Sequence, residues 1–205
     1  MHHILRNLIQ TLAVLLLLIP NASPLFASSN VILVGDSVMS ALNQSNTNCA
    51  KTVIAAANWN VKIDAKPCRC ATTPGCKKGT PESVKNVLLA RRDLAGSALV
   101  IMVGHNDARN ESFKAKIDNI LHASQKASVV FWVTMREVSD SYRRVNKMLI
   151  DETDHRKNLR IVHWAKASND QPSWVAKDGV HLSTLGARKL AETITRELNA
   201  WRSSN

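Results

Sequence analysis

The sequence predicts a three-layer α/β/α sandwich built on a five-stranded parallel sheet. The first observation is a set of five short, nearly continuous apolar runs, which is typical of strands covered on both faces. The second is that amphipathic segments alternate with these runs, as they do in βαβ units. The third is that glycine and polar residues follow several runs directly. The strands are predicted at residues 30–34, 60–64, 98–103, 129–134 and 159–163.

Segments of helical periodicity fill most of the intervals between these strands. The segment 81–94 opens with Thr80, Pro81 and Glu82, which form a good N-cap and first turn. The other helices are predicted at residues 111–124, 140–154 and 184–201, where apolar side chains recur on one helical face. Residues 53–57 fit either a helix or a strand, and we favour a helix.

The first 27 residues have the composition of a secretory signal peptide, with Arg6, an apolar run over 12–19 and then Pro20. The run is short for a membrane span, although an uncleaved N-terminal anchor is the competing interpretation. Residues 28–205 are long enough for one domain with its own core. Both interpretations predict that this domain is exported to the periplasm, the cell envelope or the medium.

The chain is strongly basic, with a formal net charge of +11. Arg6 is the only charged residue of the predicted leader, so the domain keeps nearly all of this charge. A basic exported domain is suited to anionic envelope polymers, although a generally solvated basic surface is the competing interpretation. We expect no nucleic-acid partner, because the basic residues are scattered and not interleaved with aromatic ones.

All four cysteines fall in one segment: Cys49, Cys68, Cys70 and Cys76. The loop from Ala71 to Pro81 that bridges would restrain has few apolar residues of its own. An even count behind an export signal favours two disulfides. The loop between Cys68 and Cys70 is too short for an unstrained bridge. Two pairings stay open: Cys49–Cys68 with Cys70–Cys76, or Cys49–Cys70 with Cys68–Cys76. A zinc site is the competing interpretation, but the spacing matches no common zinc-ligand pattern, so we expect no metal.

Three separated segments carry residue types that can act together as a serine hydrolase. Ser37 follows the first predicted strand and Asn106 follows the third, so both lie at the carboxyl edge of the sheet, where ligands bind in such folds. Asp178 and His181 are three residues apart, which lets the carboxylate orient the imidazole towards a serine. Asn106 can donate its amide to an oxyanion, with the Ser37 backbone N–H as a second donor.

The neighbouring residues are assigned supporting roles. Asp36 and Asp107 can hold their loops by accepting backbone N–H groups. His105 either contacts substrate or turns away from it. Residues 134–136 follow the fourth strand and lie on the same edge of the sheet.

On these residues the chain resembles the SGNH hydrolases, also called GDSL-type esterases. The matching segments are Gly35 to Val38, Gly104 to Asp107 and Asp178 to Leu182. The resemblance implies a flavodoxin-like sandwich, a triad of Ser37, His181 and Asp178, and acyl-ester hydrolysis or transfer through an acyl-enzyme without a metal or cofactor. Within the family the chain is most similar to SGNH domains of envelope-polysaccharide and peptidoglycan O-acyltransferases.

One family element differs in this chain. The family usually has a glycine after the second strand whose N–H is a further oxyanion donor, and this chain has no glycine between Gly35 and Gly75. Pro67 has no N–H to donate. The replacement donor is therefore expected at Cys68 or Arg69, where a disulfide at Cys68 can hold it. His105 and Arg69 are the candidate residues for contacting substrate.

The leading hypothesis is an exported, monomeric serine esterase that acts on acetyl or other short acyl esters of an envelope carbohydrate. The alternative with the same site is an O-acyltransferase that receives acetyl groups from a separate membrane acyltransferase. A third hypothesis, motivated by the missing glycine, is an inactive envelope-binding module.

Overall fold

The computed structural model describes residues 29–44, 49–76, 81–107 and 113–205. The predicted leader lies outside these residues. Within the described ranges, no helix has both the length and the hydropathy that crossing a membrane requires.

A five-stranded sheet with every neighbouring pair parallel forms the middle layer. The strand order is β2-β1-β3-β4-β5, which is the flavodoxin-like order. Each predicted strand is confirmed, with boundaries within one residue of the prediction. The strands are β1 (Ser29–Gly35), β2 (Trp59–Ala65), β3 (Ala98–Met102), β4 (Val129–Val133) and β5 (Leu159–Val162).

Helices cover both faces of this sheet, and the helix favoured for residues 53–57 is present. The α-helices of the described residues are α1 (Ser37–Ser40), α2 (Cys49–Ala56), α3 (Val84–Ala90), α4 (Phe113–Ala123), α5 (Asp140–Thr153), α6 (Trp164–Ser168) and α7 (Thr184–Ser203). Two short 3₁₀ helices lie at Ala41–Asn43 and Pro172–Trp174.

The helix ends show two differences from the prediction. Helix α3 begins at Val84 and not at Pro81, because the Ser83 hydroxyl caps it by accepting the Asn86 N–H at 3.3 Å. Thr80, the predicted cap, lies outside the described residues. Helices α1 and α6 were not predicted, since four or five residues are too few to show a helical period.

Alternate strand residues point into two separate apolar layers. Ile32 and Val34 pack with α3, α4 and α5 on one face of the sheet. Val31 and Leu33 pack with α1, α2, α6 and α7 on the other face. The central strands therefore bury both faces, which explains why they are continuous apolar runs without alternation.

The carboxyl ends of the central strands β1 and β3 meet at one point. Gly35 pairs with Met102, and the Asp36 N–H donates to the Met102 carbonyl at 3.1 Å. A Cβ at Gly35 would lie 2.5 Å from that carbonyl oxygen, so only glycine allows this approach. The close contact sets where the chain leaves β1, and with it the position of Ser37 and of the loop 103–107.

Candidate active site

Ser37 is the first residue of α1, directly beyond the end of β1. The helix is capped by Asp36, whose Oδ1 accepts the Val38 N–H at 3.0 Å. Asp36, and not Ser37, is therefore the N-cap of this helix. The Ser37 hydroxyl is free to face the edge of the sheet, and its own N–H is one of the first-turn donors without an intrahelical acceptor.

Asp178 and His181 lie in the loop before α7 and reach Ser37 from the far end of the chain. The Asp178 Oδ2 lies 2.7 Å from His181 Nδ1, and His181 Nε2 lies 3.0 Å from Ser37 Oγ. Asp178 Oδ1 also accepts the backbone N–H groups of Val180 and His181, at 2.9 and 3.0 Å. With the proton on Nδ1, His181 presents Nε2 as an acceptor for the serine hydroxyl.

The contact with His181 and the two backbone N–H groups act on the charge of Asp178. The hydrogen bond from the His181 side chain is the largest cause, and together with the backbone donors it holds the pKa of Asp178 at about 2. Asp178 therefore stays ionised at every pH well above 2, and its carboxylate keeps the imidazole oriented over that range. About half of each side chain is exposed, so solutes can reach this pair.

The loop after β3 brings Asn106 to the same edge. Asn106 Nδ2 donates one hydrogen to the Arg69 carbonyl at 3.0 Å, which leaves its second amide hydrogen for another acceptor. Asp107 is buried and accepts from the Ala71 N–H at 2.8 Å and from Lys116 Nζ at 2.7 Å. These contacts attach the loop after β3 to residues 69–71 and hold the Asn106 amide in place.

His105 turns into the protein. Its Nδ1 lies 2.8 Å from the buried Asp36 Oδ2, and its ring packs edge-on against Tyr142 with 5.5 Å between the ring centroids. Only 6% of its side chain is exposed. The expected substrate contact is therefore not available to Nδ1, because Asp36 already binds that nitrogen. His105 instead connects the loop that carries Asn106 to the turn that carries Ser37.

The segment after β2 forms a tight turn that a disulfide closes. Cys68 is bonded to Cys76, with 5.3 Å between their Cα atoms, and the Cys76 N–H donates to the Cys68 carbonyl. Cys68 has a φ of +62°, in the left-handed region that favours glycine. Among the described residues the Cys68 N–H has no hydrogen-bond acceptor, whereas the Arg69 N–H donates to the Lys66 carbonyl at 3.3 Å.

The disulfide corrects the expected pairings. The pairing Cys49–Cys68 with Cys70–Cys76 is wrong, because Cys68 and Cys76 bind each other. In the other pairing Cys68–Cys76 is confirmed, but Cys70 is a free thiol that points into the protein interior. Burial raises the pKa of the Cys70 thiol. The side chain of Cys49 lies outside the described part of the structure.

Arg69 does not offer its side chain to a substrate, which corrects a second expectation. Its guanidinium is buried and donates to the carbonyls of Glu82, Asp64 and Gly35 and to the Asp64 carboxylate at 2.9 Å. These bonds satisfy the charge inside the protein and bind the cysteine turn to the ends of β1 and β2. Arg69 therefore stabilises the backbone beside the site from the protein interior.

Arg136 is a residue whose role the sequence did not reveal, although its position after β4 placed it on the correct edge. Its guanidinium donates to three backbone carbonyls: Ser168 at 2.9 Å, Asn169 at 2.8 Å and Gly179 at 3.1 Å. Gly179 lies between Asp178 and His181 in the chain and has a φ of +71°. Arg136 thus holds the exposed Asp178–His181 loop at its middle.

Within the described residues, no group of three or more histidine, cysteine, aspartate or glutamate side chains could hold a metal ion. The expectations that the protein uses no metal and no cofactor stay predictions.

The chain is similar in sequence to bacterial O-acetyltransferases. No family model matches it. It is 28% identical over 172 residues to "O-acetyltransferase OatA" of Staphylococcus aureus, strain NCTC 8325 / PS 47. This match covers 83% of the chain but 25% of that protein, so the chain spans about a quarter of the length of this relative.

The solved structures that resemble the chain have the SGNH hydrolase fold. The Streptococcus pneumoniae peptidoglycan O-acetyltransferase A catalytic domain superposes with a TM-score of 0.63 at 20% identity, over 86% of this chain and 96% of that one. A G-D-S-L lipolytic protein of Veillonella parvula gives 0.61 at 15%, covering 80% and 95%. A family two carbohydrate esterase of Clostridium thermocellum gives 0.64 at 15%, covering 86% and 65%. The fold expected from the resemblance is confirmed.

The contacts of Arg136 predict that Arg136→Ala lowers the kcat for p-nitrophenyl acetate by roughly tenfold to a hundredfold, because small misplacements of a reacting group have effects of that size. KM should change little, since Arg136 contacts the loop and not the site opening. Arg136→Lys should recover part of the loss, because one ammonium group can still reach the Gly179 carbonyl. Steady-state kinetics of the three proteins measure this.

The control is Arg188→Ala, which removes an exposed arginine of α7 whose hydrogen bond is to Glu192. It should keep the kcat of the wild type. A kcat of Arg136→Ala equal to that of this control would contradict a positioning role for Arg136.

Proposed function

Since the chain has the SGNH hydrolase fold and resembles O-acetyltransferase catalytic domains, we propose that it is an exported serine ester hydrolase. It acts on acetyl or other short acyl esters of an envelope carbohydrate, through a covalent acyl-enzyme. The observation that carries the proposal is the continuous contact from Asp178 through His181 to Ser37, at 2.7 and 3.0 Å. Residues 144 positions apart meet there with the geometry of a nucleophile, a base and an orienting carboxylate.

In the first half-reaction Ser37 Oγ attacks the ester carbonyl carbon while His181 Nε2 takes the hydroxyl proton. Asp178 stays ionised and stabilises the imidazolium. The negative charge on the carbonyl oxygen is met by the Ser37 N–H and the free Asn106 amide hydrogen. The tetrahedral intermediate then collapses, the carbon–oxygen bond to the sugar breaks, and His181 returns the proton to the leaving alkoxide.

In the second half-reaction water attacks the acyl-enzyme. His181 takes a proton from the attacking water, and the second tetrahedral intermediate expels Ser37 Oγ, which receives that proton back. The products are a free carboxylic acid and the regenerated serine. No metal or cofactor is needed at any step of this cycle.

Cys68 supplies the third oxyanion donor in place of the missing glycine. Its N–H has no acceptor among the residues that the structure describes, and its left-handed φ of +62° is one that glycine adopts freely. The Cys68–Cys76 bond and the bond from Cys76 N–H to the Cys68 carbonyl hold this turn. Arg69 is the weaker candidate, because its own N–H is used within the turn.

The substrate class rests on three observations. Relatives of the chain include a peptidoglycan O-acetyltransferase domain and a carbohydrate esterase in complex with cellohexaose. The net charge of +11 suits an anionic envelope polymer. The exposure of His181 and Asp178 gives a polymer access to the base. Export, which the leader composition predicts, brings the enzyme to this substrate.

A second candidate function is O-acyltransfer, and the similarity to OatA favours it. The same acyl-enzyme is then attacked by a sugar hydroxyl in place of water, and a separate membrane acyltransferase supplies the acetyl groups. An inactive envelope-binding module is the weaker hypothesis, because it leaves the contacts of Ser37, His181 and Asp178 without a purpose.

Ser37→Ala is predicted to lower hydrolysis of p-nitrophenyl acetate by about 10³-fold or more, because the nucleophile is lost. Purified residues 28–205 should release p-nitrophenolate and react with a fluorophosphonate probe at Ser37, which peptide mass spectrometry locates. Ser203→Ala, an exposed serine at the end of α7, is the matched control and should behave as the wild type. Equal turnover by wild type and Ser37→Ala would rule the proposal out.

Hydrolysis and transfer are separated by product analysis. With p-nitrophenyl acetate as donor and N-acetylchitotriose as acceptor, a hydrolase yields acetate only, whereas a transferase yields acetylated sugar in proportion to acceptor concentration. Mass spectrometry of the sugar fraction measures this. Acetylated sugar that forms with the wild type and not with Ser37→Ala would show that the protein is a transferase.

Two double variants that differ only at residue 68 test whether the Cys68 N–H is an oxyanion donor. Cys68→Ala with Cys76→Ser should reduce kcat by roughly 5- to 30-fold relative to Cys68→Gly with Cys76→Ser, because a left-handed φ is disfavoured by about 1–2 kcal/mol for residues other than glycine. The double variant with Cys68→Gly should have a kcat close to that of the wild type. Equal kcat values for the two double variants would contradict the proposal that the Cys68 N–H is an oxyanion donor.

A further inference from the structure

The disulfide between Cys68 and Cys76 lies at the protein surface. Cys76 is exposed and Cys68 is half-buried. A disulfide is reduced when a thiolate attacks one of its sulfur atoms, so exposure of the bond decides whether a reductant can reach it. Exposed disulfides include the labile and regulatory ones. The Cys76 sulfur is the more accessible of the two to such an attack.

Cys68 occupies the third position of a four-residue turn that begins at Lys66. The Arg69 N–H closes this turn by donating to the Lys66 carbonyl at 3.3 Å. Pro67, at the second position, has a fixed negative φ, and Cys68 has a φ of +62°. This combination is that of a type II β-turn, which favours glycine at its third position. Cys68 therefore holds a conformation that a residue with a side chain disfavours.

A second type of turn is compatible with the same residues. A type I turn has the same closing hydrogen bond and also favours proline at its second position. It needs a negative φ at the third position, which cysteine adopts without strain. The two turns differ by a flip of the peptide group between their second and third residues. In this chain that peptide group carries the Cys68 N–H, so the flip reverses the direction of the proposed oxyanion donor.

Contacts that involve no sulfur atom hold the chain on both sides of this turn. The Lys66 N–H donates to the Gly35 carbonyl at 3.1 Å. The buried Asp107 carboxylate accepts the Ala71 N–H at 2.8 Å. Reduction of the disulfide therefore leaves the residues before and after the turn in place.

The disulfide is the contact that restrains the side chain of Cys68. The other contacts that the described residues make with Cys68 from outside its turn go to its carbonyl, from the Cys76 N–H at 3.2 Å and more weakly from the Cys70 thiol at 3.9 Å. That carbonyl belongs to the next peptide group along the chain, so these contacts do not prevent the flip. Without the disulfide, the φ of Cys68 follows the ordinary preference of a cysteine.

We infer that Cys76 is a redox site at which a dithiol reductant turns off the oxyanion donor of Cys68. One thiolate of the reductant attacks the Cys76 sulfur, the bond to the Cys68 sulfur breaks, and Cys68 leaves as a thiolate that is protonated from water. The second thiol of the reductant then displaces Cys76, and the reductant leaves as a disulfide. Two electrons and two protons thus pass from the dithiol to the two cysteines, and a disulfide oxidant reverses the change. The inference rests on the proposed function, which assigns the Cys68 N–H to the oxyanion.

The first test follows the turn and not the activity. The Pro67 Hα lies close to the Cys68 amide proton in a type II turn and farther away in a type I turn, so the NOE between them reports the flip. This NOE should be strong in the oxidised protein. It should weaken after treatment with dithiothreitol, when mass spectrometry of alkylated peptides finds both Cys68 and Cys76 as thiols. A strong NOE in the fully reduced protein would overturn the inference, whatever its activity.

The second test measures kcat for p-nitrophenyl acetate after dithiothreitol has been removed under an inert gas, with reduced Ser37→Ala as the background. The reduced wild type should be roughly 5- to 30-fold slower than the oxidised wild type, because the left-handed φ that directs the donor becomes the minor conformation. Oxidised dithiothreitol should restore the rate. Cys70→Ala, which removes a buried free thiol and keeps the disulfide, should respond in the same way.

The matched control is the double variant Cys68→Gly with Cys76→Ser, because glycine keeps the type II turn without a disulfide. Its kcat should be the same before and after the treatment. Equal kcat values for the oxidised and the fully reduced wild type would overturn the inference. An equal loss of kcat in the double variant would also overturn it, because the reductant would then act outside the disulfide. Absence of Ser37-dependent turnover in the oxidised wild type would instead count against the proposed function.

Discussion

The buried carboxylate of Asp36 is the interaction on which the site depends. Asp36 has no exposed surface, and a buried charge is costly unless it is fully hydrogen-bonded. One oxygen accepts the Val38 N–H and the other contacts His105 Nδ1, so the same group caps the helix of Ser37 and holds the loop of Asn106. The close approach of Gly35 to Met102 makes this possible by bringing the ends of β1 and β3 together.

The cysteine turn is held by polar groups, because its own sequence has few apolar residues to bury. The Arg69 guanidinium fastens it to the ends of β1 and β2, while Asp107 accepts the Ala71 N–H from the opposite side. The disulfide closes what remains of the loop. A turn restrained in this way can keep a residue other than glycine in a left-handed conformation, since the surrounding contacts offset its strain. Cys68, in the segment after β2, therefore has a backbone conformation that glycine adopts freely.

Asp178 and His181, the proposed carboxylate and base, are held in place in a different way. Asp178 and His181 lie on an exposed loop, and their order comes from local hydrogen bonds and from Arg136 behind them. About half of the Asp178 and His181 side chains is exposed, so solutes can reach Ser37 from this side. The turns directly after β1 and β3 thus carry Ser37 and Asn106, whereas a loop that Arg136 holds carries His181.

The sequence by itself determined the layers of the fold, and it predicted which residues meet at the candidate site. Strands buried on both faces read as apolar runs, so all five could be located, and residues after β1 and β3 had to share one edge of the sheet. The tertiary structure alone decided the direction of individual side chains. Arg69 turned inward, His105 turned towards Asp36, Cys70 stayed unpaired and Arg136 reached Gly179. These outcomes depend on which partners lie nearby from distant parts of the chain, and residue type and spacing do not specify such partners.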